Sequence, residues 1–212
     1  MLDVKRMVLG PVSTNAYLVA DRGSRRAVVI DPAAAGQRIY QTAVQEDWEI
    51  QAIWLTHAHF DHFAGAGELL KALDDEQVRY GMHPGEMELW QMKGGAAAFG
   101  YDFDPGPAPG IAFEHGQSLT LGETSFEVRL APGHSAGHVM FYNAEAGMLF
   151  SGDVIFQRGI GRTDLLGGDH AALIASIREQ VFSLPDQTVI YPGHGPETTV
   201  GEEKRSNPFL RR

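Results

Sequence analysis

The sequence contains no cysteine among its 212 residues. Disulfides and thiolate metal sites are therefore excluded, so any metal ion must be held by imidazole and carboxylate groups. Long apolar stretches are missing as well: no run approaches the roughly 18 apolar residues that a membrane-spanning helix needs, and the opening "MLDVKRMVLGPVSTN" has no apolar segment of signal-peptide length. We therefore expect no membrane partner and a cytoplasmic location.

Positive charge is scarce. There are 17 lysines and arginines against 27 aspartates and glutamates, which gives a formal net charge of −10 at pH 7. A surface this acidic repels phosphate backbones, and no stripe of basic residues with interleaved aromatics is present. We therefore expect no nucleic acid among the partners.

Hydrophobic residues make up 43% of the chain and charged residues 21%, values typical of a globular protein. This length fits one domain, and we predict a single domain over residues 1–212. Runs typical of strands, such as residues 15–21 and 50–56, alternate with helical stretches twice along the chain. The order predicts an α+β fold in which two sheets pack together with helices outside. The Gly/Pro-rich residues 100–110 are interpreted as a loop beside the active site rather than a domain linker.

The densest polar motif follows a continuous apolar run. "LTHAHFDHFAG" places His57, His59, Asp61 and His62 directly after the predicted buried strand 50–56. With this composition, the pattern H-x-H-x-D-H is expected by chance in roughly one such sequence in a thousand. We therefore interpret the motif as a metal-binding segment rather than a polar surface turn.

Three further segments end predicted strands in the same way. "APGHSAGH" contains His134, "LFSGDVIF" contains Asp153 and "IYPGHGP" contains His194, each with a glycine close by that permits tight turning. Because ligand sites cluster where strands give way to loops, we expect these segments to converge. The candidate metal ligands are His57, His59, Asp61, His62, His134, Asp153 and His194.

The number of candidate ligands indicates two ions. One catalytic zinc takes three protein ligands and a water, so the seven predicted nitrogen and oxygen ligands suit a pair of divalent metals, with zinc expected and iron or manganese compatible. The natural partition assigns His57, His59 and His134 to one ion, and Asp61, His62 and His194 to the other, with Asp153 as a bridge. Such a pair lowers the pKa of bound water to around 7 and supplies a hydroxide nucleophile. Asp61 and Asp153 are the candidate catalytic carboxylates.

The motifs "THAHFDH", "GHSAGH", "SGD" and "PGHGP" resemble the metallo-β-lactamase-fold superfamily, and the resemblance implies a four-layer αββα sandwich with metals at one edge. The segments "GPVSTNAYLV", "SGDVIFQRGIGRTDLLGGDH" and "PGHGPETTVGEEKRSNPFL" are similar to short bacterial glyoxalase II-like (hydroxyacylglutathione hydrolase-like) proteins. That similarity implies hydrolysis of thioesters such as S-lactoylglutathione. Full-length members carry a C-terminal helical region that grips glutathione, whereas only 18 residues follow His194 here. We therefore expect weak binding of the tripeptide.

Other functions remain open at this point. A mononuclear iron persulfide dioxygenase is the main alternative, because that family is similar around "RGIGRTD" and because His57, His134 and Asp153 would form a two-His, one-carboxylate iron site. Its final motif tends to differ from "PGHGP". A metal-binding module without a reaction is disfavoured because structural sites are closed. The missing export signal disfavours a β-lactamase, and the charge disfavours a nuclease.

A few residues outside the ligand set invite specific expectations. Arg162 either pairs with Asp164 or binds a substrate carboxylate with its planar fork. His138 either orients a metal ligand or simply begins a strand. Phe60 and Phe63 are expected to wall the metal site. The remaining basic and imidazole groups, for which the sequence favours no site role over a solvated one, are His83, His115, His170, Lys204 and Arg205. The oligomeric state is left open.

Overall fold

A computed structural model describes residues 1–75 and 78–210. Its first sheet has six strands in the order β1-β2-β3-β4-β5-β6. These are β1 (Leu2–Leu9), β2 (Thr14–Asp21), β3 (Arg26–Ile30), β4 (Glu49–Trp54), β5 (Arg79–Met82) and β6 (Ile111–Ala112). The first three strands are antiparallel, whereas β3, β4, β5 and β6 run parallel.

The second sheet also has six strands, in the order β14-β13-β10-β9-β8-β7. They are β7 (Ser118–Leu121), β8 (Thr124–Leu130), β9 (Val139–Asn143), β10 (Met148–Gly152), β13 (Val189–Pro192) and β14 (Thr198–Thr199). A separate hairpin joins β11 (Ile155–Phe156) to β12 (Gly159–Ile160). Within the second sheet only β10 and β13 pair in parallel.

Helices connect the strands. They are α1 (Gly36–Gln45), α2 (Phe60–Phe63), α3 (Ala66–Leu73), α4 (Met87–Gln91), α5 (His170–Ser176) and α6 (Val200–Ser206). Short 3₁₀ segments cover Pro84–Glu86 and Lys93–Phe99, and α5 continues through a wider π-type turn at Ile177–Val181. In the described part of the chain, no helix is long and apolar enough to cross a membrane.

Three apolar layers hold the elements together. Between the sheets, Trp54 of β4 packs its ring 5.2–5.3 Å from Phe126 and Phe141 of the second sheet. On the outer face of the first sheet, Ile39 of α1 and Leu69 of α3 are fully buried. On the outer face of the second sheet, Leu173 of α5 is fully buried in a third cluster. The layers are therefore helix, sheet, sheet, helix, and the predicted αββα sandwich is confirmed.

Parallel pairing brings the polar strand ends together. Ile30 of β3 lies opposite Trp54 of β4, so the residues after both strands are neighbours. In the second sheet Gly152 of β10 lies opposite Pro192 of β13, which places the segments after these strands side by side. A single bridge between Thr14 and His194 joins the two sheets at this edge.

The first strand was not predicted. β1 carries Asp3, Lys5 and Arg6 and is only half-buried, because it lies at the edge of the first sheet. Its charges hide the strand pattern, and its pairing with β2 along the full length of both strands supplies what the local sequence does not.

Candidate metal centre

The structure brings all seven predicted ligand side chains into one cluster. Two groups of three can each present one ligand atom per residue within 4.8 Å of one another: His57, His59 and His134, and Asp61, His62 and His194. These are the two sets that the sequence predicts. His57 and His62 are completely buried, whereas His194 has 29% of its side chain exposed. The cluster thus lies at the base of an opening rather than in a closed core.

Asp153 lies between the two sets. Its Oδ1 is 3.4 Å from Nε2 of His62, and its Oδ2 is 3.6 Å from Nε2 of His134 and 3.5 Å from Nε2 of His194. Its Oδ2 therefore faces one imidazole of each set and its Oδ1 faces a second imidazole of the second set, a position that suits a bridging ligand. That these seven side chains hold ions stays a prediction.

Asp31 orients two of the imidazoles, and sequence reasoning missed it. Its Oδ2 accepts hydrogen bonds from Nδ1 of His62 (2.9 Å) and from the hydroxyl of Thr56 (2.6 Å). The Thr56 oxygen can then accept from Nδ1 of His57, which is 3.0 Å away. Both imidazoles are thereby oriented through Nδ1, so that Nε2 of each ring faces the cluster. Asp31, His57 and His62 can also each present one ligand atom within 4.8 Å of the others. However, Asp31 contacts Nδ1 of His62, whereas Asp61 and Asp153 lie near Nε2 of that ring.

His134 and Asp153 are each held by a hydrogen bond between an imidazole and a backbone group. Nδ1 of His134 donates to the carbonyl of Arg162 at 2.8 Å, which leaves Nε2 of that ring as an acceptor toward the cluster. His138, for which two roles were expected, accepts a hydrogen bond from the backbone N–H of Asp153 at 3.1 Å. It is fully buried and stacks on His57 with ring centres 4.7 Å apart. Of its two expected roles, His138 takes that of orienting a ligand.

Glu86 joins the two loops that carry the first donor set. Only 1% of this residue is exposed. Its Oε2 accepts from the backbone N–H of Ala58 at 2.8 Å, and its Oε1 accepts from that of Gly137 at 2.7 Å. Ala58 separates His57 from His59, and Gly137 follows His134 in the next loop. A single buried carboxylate therefore fixes the spacing of the loops, and no sequence motif singled it out.

The start of the chain supports the second donor set. Thr14 donates its hydroxyl proton to Oδ2 of Asp61 at 2.7 Å. Asn15 donates through its side-chain amide to the carbonyls of Pro192 (2.8 Å) and Gly195 (2.9 Å), on either side of His194. These contacts explain why the segment "GPVSTNAYLV", far from the ligand motifs in sequence, belongs to the site.

Gly193 is required by close approach. A Cβ at this position would lie 2.2 Å from Oδ1 of Asp153 and 2.7 Å from Cε1 of His62. Any side chain would therefore displace the carboxylate of Asp153, so the glycine before His194 serves the cluster of candidate ligands as well as the turn.

The electrostatics of the cluster favour a bound cation. Burial, followed by repulsion from nearby imidazoles, lowers the pKa of His59 to about 3 and that of His57 well below its usual value. Burial alone would raise the pKa of Asp61, but the imidazoles of His62 and His194 hold it at about 2. The pKa of Asp153 is likewise held well below its usual range. Neutral His57 and His59 and ionised Asp61 and Asp153 are already in the protonation states that bind metals. Burial alone would lower the pKa of His62 and that of His194, but Asp153 and Asp61 raise both, so these two rings must each lose a proton to a bound metal.

Buried polar atoms without a partner show that a cation fits. Nε2 of His57, Nε2 of His62 and Oδ1 of Asp153 are all buried and have no hydrogen-bond partner. Leaving such groups unpaired costs about 1–3 kcal/mol each. Since all three belong to the cluster and all are nitrogen or oxygen donors, the residues present suit divalent metals of the zinc and iron type.

The cluster opens into a cleft of about 180 Å³. The cleft is lined by Val12, His59, Phe60, Asp61, Gly94, Phe99, His134, Asp153, Arg162, Leu165 and His194. Arg162 forms a two-point ion pair with Asp164, at 2.7 and 2.8 Å, as one of its two expected roles required. Phe60 walls the cleft as expected, whereas Phe63 is fully buried against Phe103 in the core.

The remaining candidates lie apart from the cleft lining. Nδ1 of His83 accepts from the N–H of Gly85, and Nδ1 of His115 accepts from that of Leu130. Lys204 and Arg205 of α6 form ion pairs with Asp186 and Glu202 on the surface. His170 is the exposed first residue of α5.

Comparisons with known proteins identify relatives over the whole chain. The family described as Metallo-beta-lactamase superfamily matches residues 9–194. The probable metallo-hydrolase YqgX of Bacillus subtilis is 37% identical over 211 residues, 97% of this chain and 96% of that protein. The hydroxyacylglutathione hydrolase GloC of Haemophilus influenzae is 37% identical over 198 residues, 92% of each. The human mitochondrial persulfide dioxygenase ETHE1 is 34% identical over 217 residues, 97% of this chain and 75% of that protein.

Solved structures give the same picture. The B3 metallo-beta-lactamase BLEG-1 superposes with a TM-score of 0.90 at 37% identity and 99% coverage of both chains. TTHA1623, solved in a di-iron-bound form, superposes with a TM-score of 0.88 at 40% identity, covering 98% of this chain and 100% of that one. The relatives and neighbours named here include a hydroxyacylglutathione hydrolase, a persulfide dioxygenase and a B3 metallo-beta-lactamase, so the reaction has to be argued from the site.

Proposed function

Because the chain belongs to the metallo-beta-lactamase superfamily, we propose that it is a hydrolase of thioesters with a dinuclear metal centre. In the reaction, water adds to the acyl carbon, the carbon–sulfur bond breaks, and the products are a carboxylic acid and a thiol. The substrate class is that of the glyoxalase II-like relatives, of which S-lactoylglutathione is the reference compound. The GloC relative supports this choice, since it covers 92% of the chain.

One observation carries the proposal: Asp153 faces both donor sets. The distances from its two oxygens to His62, His134 and His194 are 3.4–3.6 Å. A mononuclear centre would use a single set and leave Asp61, His62 and His194 without a task. Because the second set contains a buried imidazole and an ionised carboxylate held by Thr14, a second cation is the simplest way to satisfy it.

The residues divide the work as follows. His57, His59 and His134 would hold one ion, Asp61, His62 and His194 the other, and Asp153 both. Two divalent ions at these positions would act as Lewis acids that lower the pKa of a shared water and polarise the thioester carbonyl.

The chain's own contribution is orientation and exclusion of water. Asp31 and Thr56 orient His57 and His62 through Nδ1, so that Nε2 of each ring faces the cluster. Thr14 holds Asp61, and Glu86 holds the two loops of the first set. Phe60 covers one side of the cluster and keeps bulk water away from it.

A persulfide dioxygenase is the second candidate. His57, His134 and Asp153 together provide two imidazoles and one carboxylate, the ligand set of many mononuclear iron oxygenases. The human ETHE1 relative matches 97% of the chain and supports this alternative. It requires one iron and consumption of oxygen, whereas hydrolysis requires neither.

The test combines metal analysis with activity. Protein purified without added metal is analysed for zinc, iron and manganese per chain, then reloaded with each metal and assayed. Thiol release from S-lactoylglutathione measures hydrolysis, and oxygen uptake with glutathione persulfide measures dioxygenation. We expect about two ions per chain and thiol release without oxygen uptake. Oxygen uptake by a one-iron protein that releases no thiol would replace the proposal by the alternative. A cephalosporin in the same screen tests the activity named for BLEG-1.

A further inference from the structure

We propose that the cleft selects thioesters whose thiol carrier is apolar and uncharged, and that Asp164 prevents Arg162 from binding an anionic carrier. The inference rests on the proposed thioester hydrolysis and names the substrate class for the same site. It follows from two features of the cleft: the apolar side chains around the ligand cluster, and the ion pairs that engage the basic side chains Arg162 and Lys93.

The walls are apolar and come from three separate segments. Val12 lies in the loop between β1 and β2, Phe99 ends the segment after α4, and Leu165 follows the β11–β12 hairpin. Val12 is 47% exposed and Phe99 56% exposed, although both side chains line the cleft that contains the metal ligands. Large apolar side chains exposed around an active site mark a surface for an apolar ligand.

The aromatic wall is fixed to the ligand loop. The rings of Phe60 and Phe99 are 5.2 Å apart, and the ring of Tyr101 packs 5.6 Å from that of Phe60. The segment before Phe99 can approach this closely because Gly94 has no side chain: a Cβ there would lie 2.1 Å from the backbone nitrogen of Phe60. The aromatic wall of Phe60 and Phe99 is therefore fixed to the loop that carries His59 and Asp61, and it offers a preformed apolar surface to the substrate.

The charges of the rim oppose an anionic carrier. Among the described residues that line the cleft, Arg162 is the only lysine or arginine, and its fork is engaged by both oxygens of Asp164. Lys93, beside the wall, is paired with Asp102 at 2.7 Å. A carrier such as glutathione, which has two carboxylates, would have to displace Asp164 from Arg162 or leave its own charges in water. An uncharged apolar carrier meets no such competition.

A set of thioesters with one acyl group tests the inference. The lactoyl thioesters of glutathione, of N-acetylcysteamine and of benzyl mercaptan differ only in the carrier, which is anionic, neutral and apolar in turn. We expect kcat/KM for the benzyl thioester to exceed that for S-lactoylglutathione at least tenfold, which is 1.4 kcal/mol. Phe99→Ser should reduce kcat/KM for the benzyl thioester about fivefold more than kcat/KM for the N-acetylcysteamine thioester.

Asp164→Asn tests the role of the ion pair. Releasing Arg162 should raise kcat/KM for S-lactoylglutathione about fivefold relative to kcat/KM for the benzyl thioester. Asp186→Asn is the matched control, since it removes the same charge from another exposed ion pair, the pair that Asp186 forms with Lys204 on α6. This variant should keep the parent's kcat/KM for both thioesters. Calorimetry with the non-hydrolysable benzyl and glutathione thioethers, on metal-free and zinc-loaded protein, measures the same preference without turnover.

The outcomes separate the inference from the proposed function. Equal or better use of S-lactoylglutathione, or an Asp164→Asn variant that does not differ from Asp186→Asn, would overturn the inference and leave thioester hydrolysis intact. Failure of the metal-loaded protein to cleave any of the three thioesters would overturn both.

Discussion

Replacing Glu86 by glutamine tests how the two loops of the first donor set are held. The carboxylate of Glu86 is buried and accepts one backbone hydrogen bond from each loop, at Ala58 and at Gly137. Glutamine has the same shape but only one acceptor oxygen, so its amide group must point an N–H toward one of the two backbone N–H groups. We expect the variant to fold and to lose the fixed spacing between His57, His59 and His134.

The size of the effect follows from these two contacts. Hydrogen bonds to a charged acceptor contribute about 1.5–3 kcal/mol, and a buried N–H left unpaired costs about 1–3 kcal/mol. The uncharged side chain is easier to bury, which offsets part of the loss. We therefore expect a net decrease of about 2–3 kcal/mol in the free energy of unfolding. Because partners that orient ligands influence metal affinity about 10–100-fold, zinc binding at the first donor set should weaken within that range.

Urea unfolding of metal-free protein and competition with a chromophoric chelator measure the two effects separately. Glu88→Gln is the matched control, since Glu88 is an exposed glutamate of α4, the helix that begins directly after Glu86. Its unfolding free energy should stay within about 0.5 kcal/mol of the parent. If Glu86→Gln unfolds and binds zinc like Glu88→Gln, the two hydrogen bonds do not hold the loops and the argument is wrong.

Three further predictions concern the cluster itself. Asp153→Ala should reduce turnover by orders of magnitude and bind fewer than two ions, because the carboxylate faces both sets. Its circular dichroism spectrum should stay unchanged. An active variant would show that Asp153 is wrongly assigned as a ligand. Thr14→Val removes the hydroxyl that donates to Asp61 and should weaken zinc binding about 10–100-fold in the chelator assay, and unchanged affinity would contradict that role. Zinc binding should tighten between pH 6 and 9 and release protons. Burial alone would lower the pKa of His194, but Asp153 and Asp61 raise it to about 9. Below that pH the metal must therefore displace a proton from this ring. Calorimetry in buffers of different ionisation enthalpy counts these protons, and pH-independent affinity would refute the reasoning.

Much of the fold and the ligand set could be predicted because both depend on local patterns. Several ligands follow an apolar run that forms a buried strand, as His57 follows β4 and Asp153 follows β10, and a glycine accompanies each of these loops. Parallel pairing of β3 with β4 and of β10 with β13 then places the strand ends at one edge. The order of the layers could be predicted as well, because the alternation of strands and helices can be read from local hydrophobic patterns.

The residues that orient the ligands follow no such rule. Asp31 also ends a strand, in "VVIDP", and could have been included by the criterion that found Asp153. Glu86 could not, because "HPGEMELW" reads as the polar start of an ordinary surface helix. Its burial depends on the loop around Gly137, which lies 51 positions later in the chain. A long-range contact of one carboxylate with two backbone N–H groups leaves no periodic trace in sequence.

The same distinction applies to substrate choice. Arg162 is a reasonable anion-binding residue by its side chain alone, and Asp164, two positions later, is equally reasonable as its partner. Only the geometry decides between them: Nε and Nη2 of Arg162 both donate to the carboxylate of Asp164. Meanwhile the Arg162 backbone carbonyl orients His134, so the residue acts on the metal cluster through its main chain. A substitution at Arg162 keeps that carbonyl, whereas one at Asp164 frees the guanidinium without moving it from the rim. Asp164 is therefore the more informative position for changing the carrier that the cleft accepts.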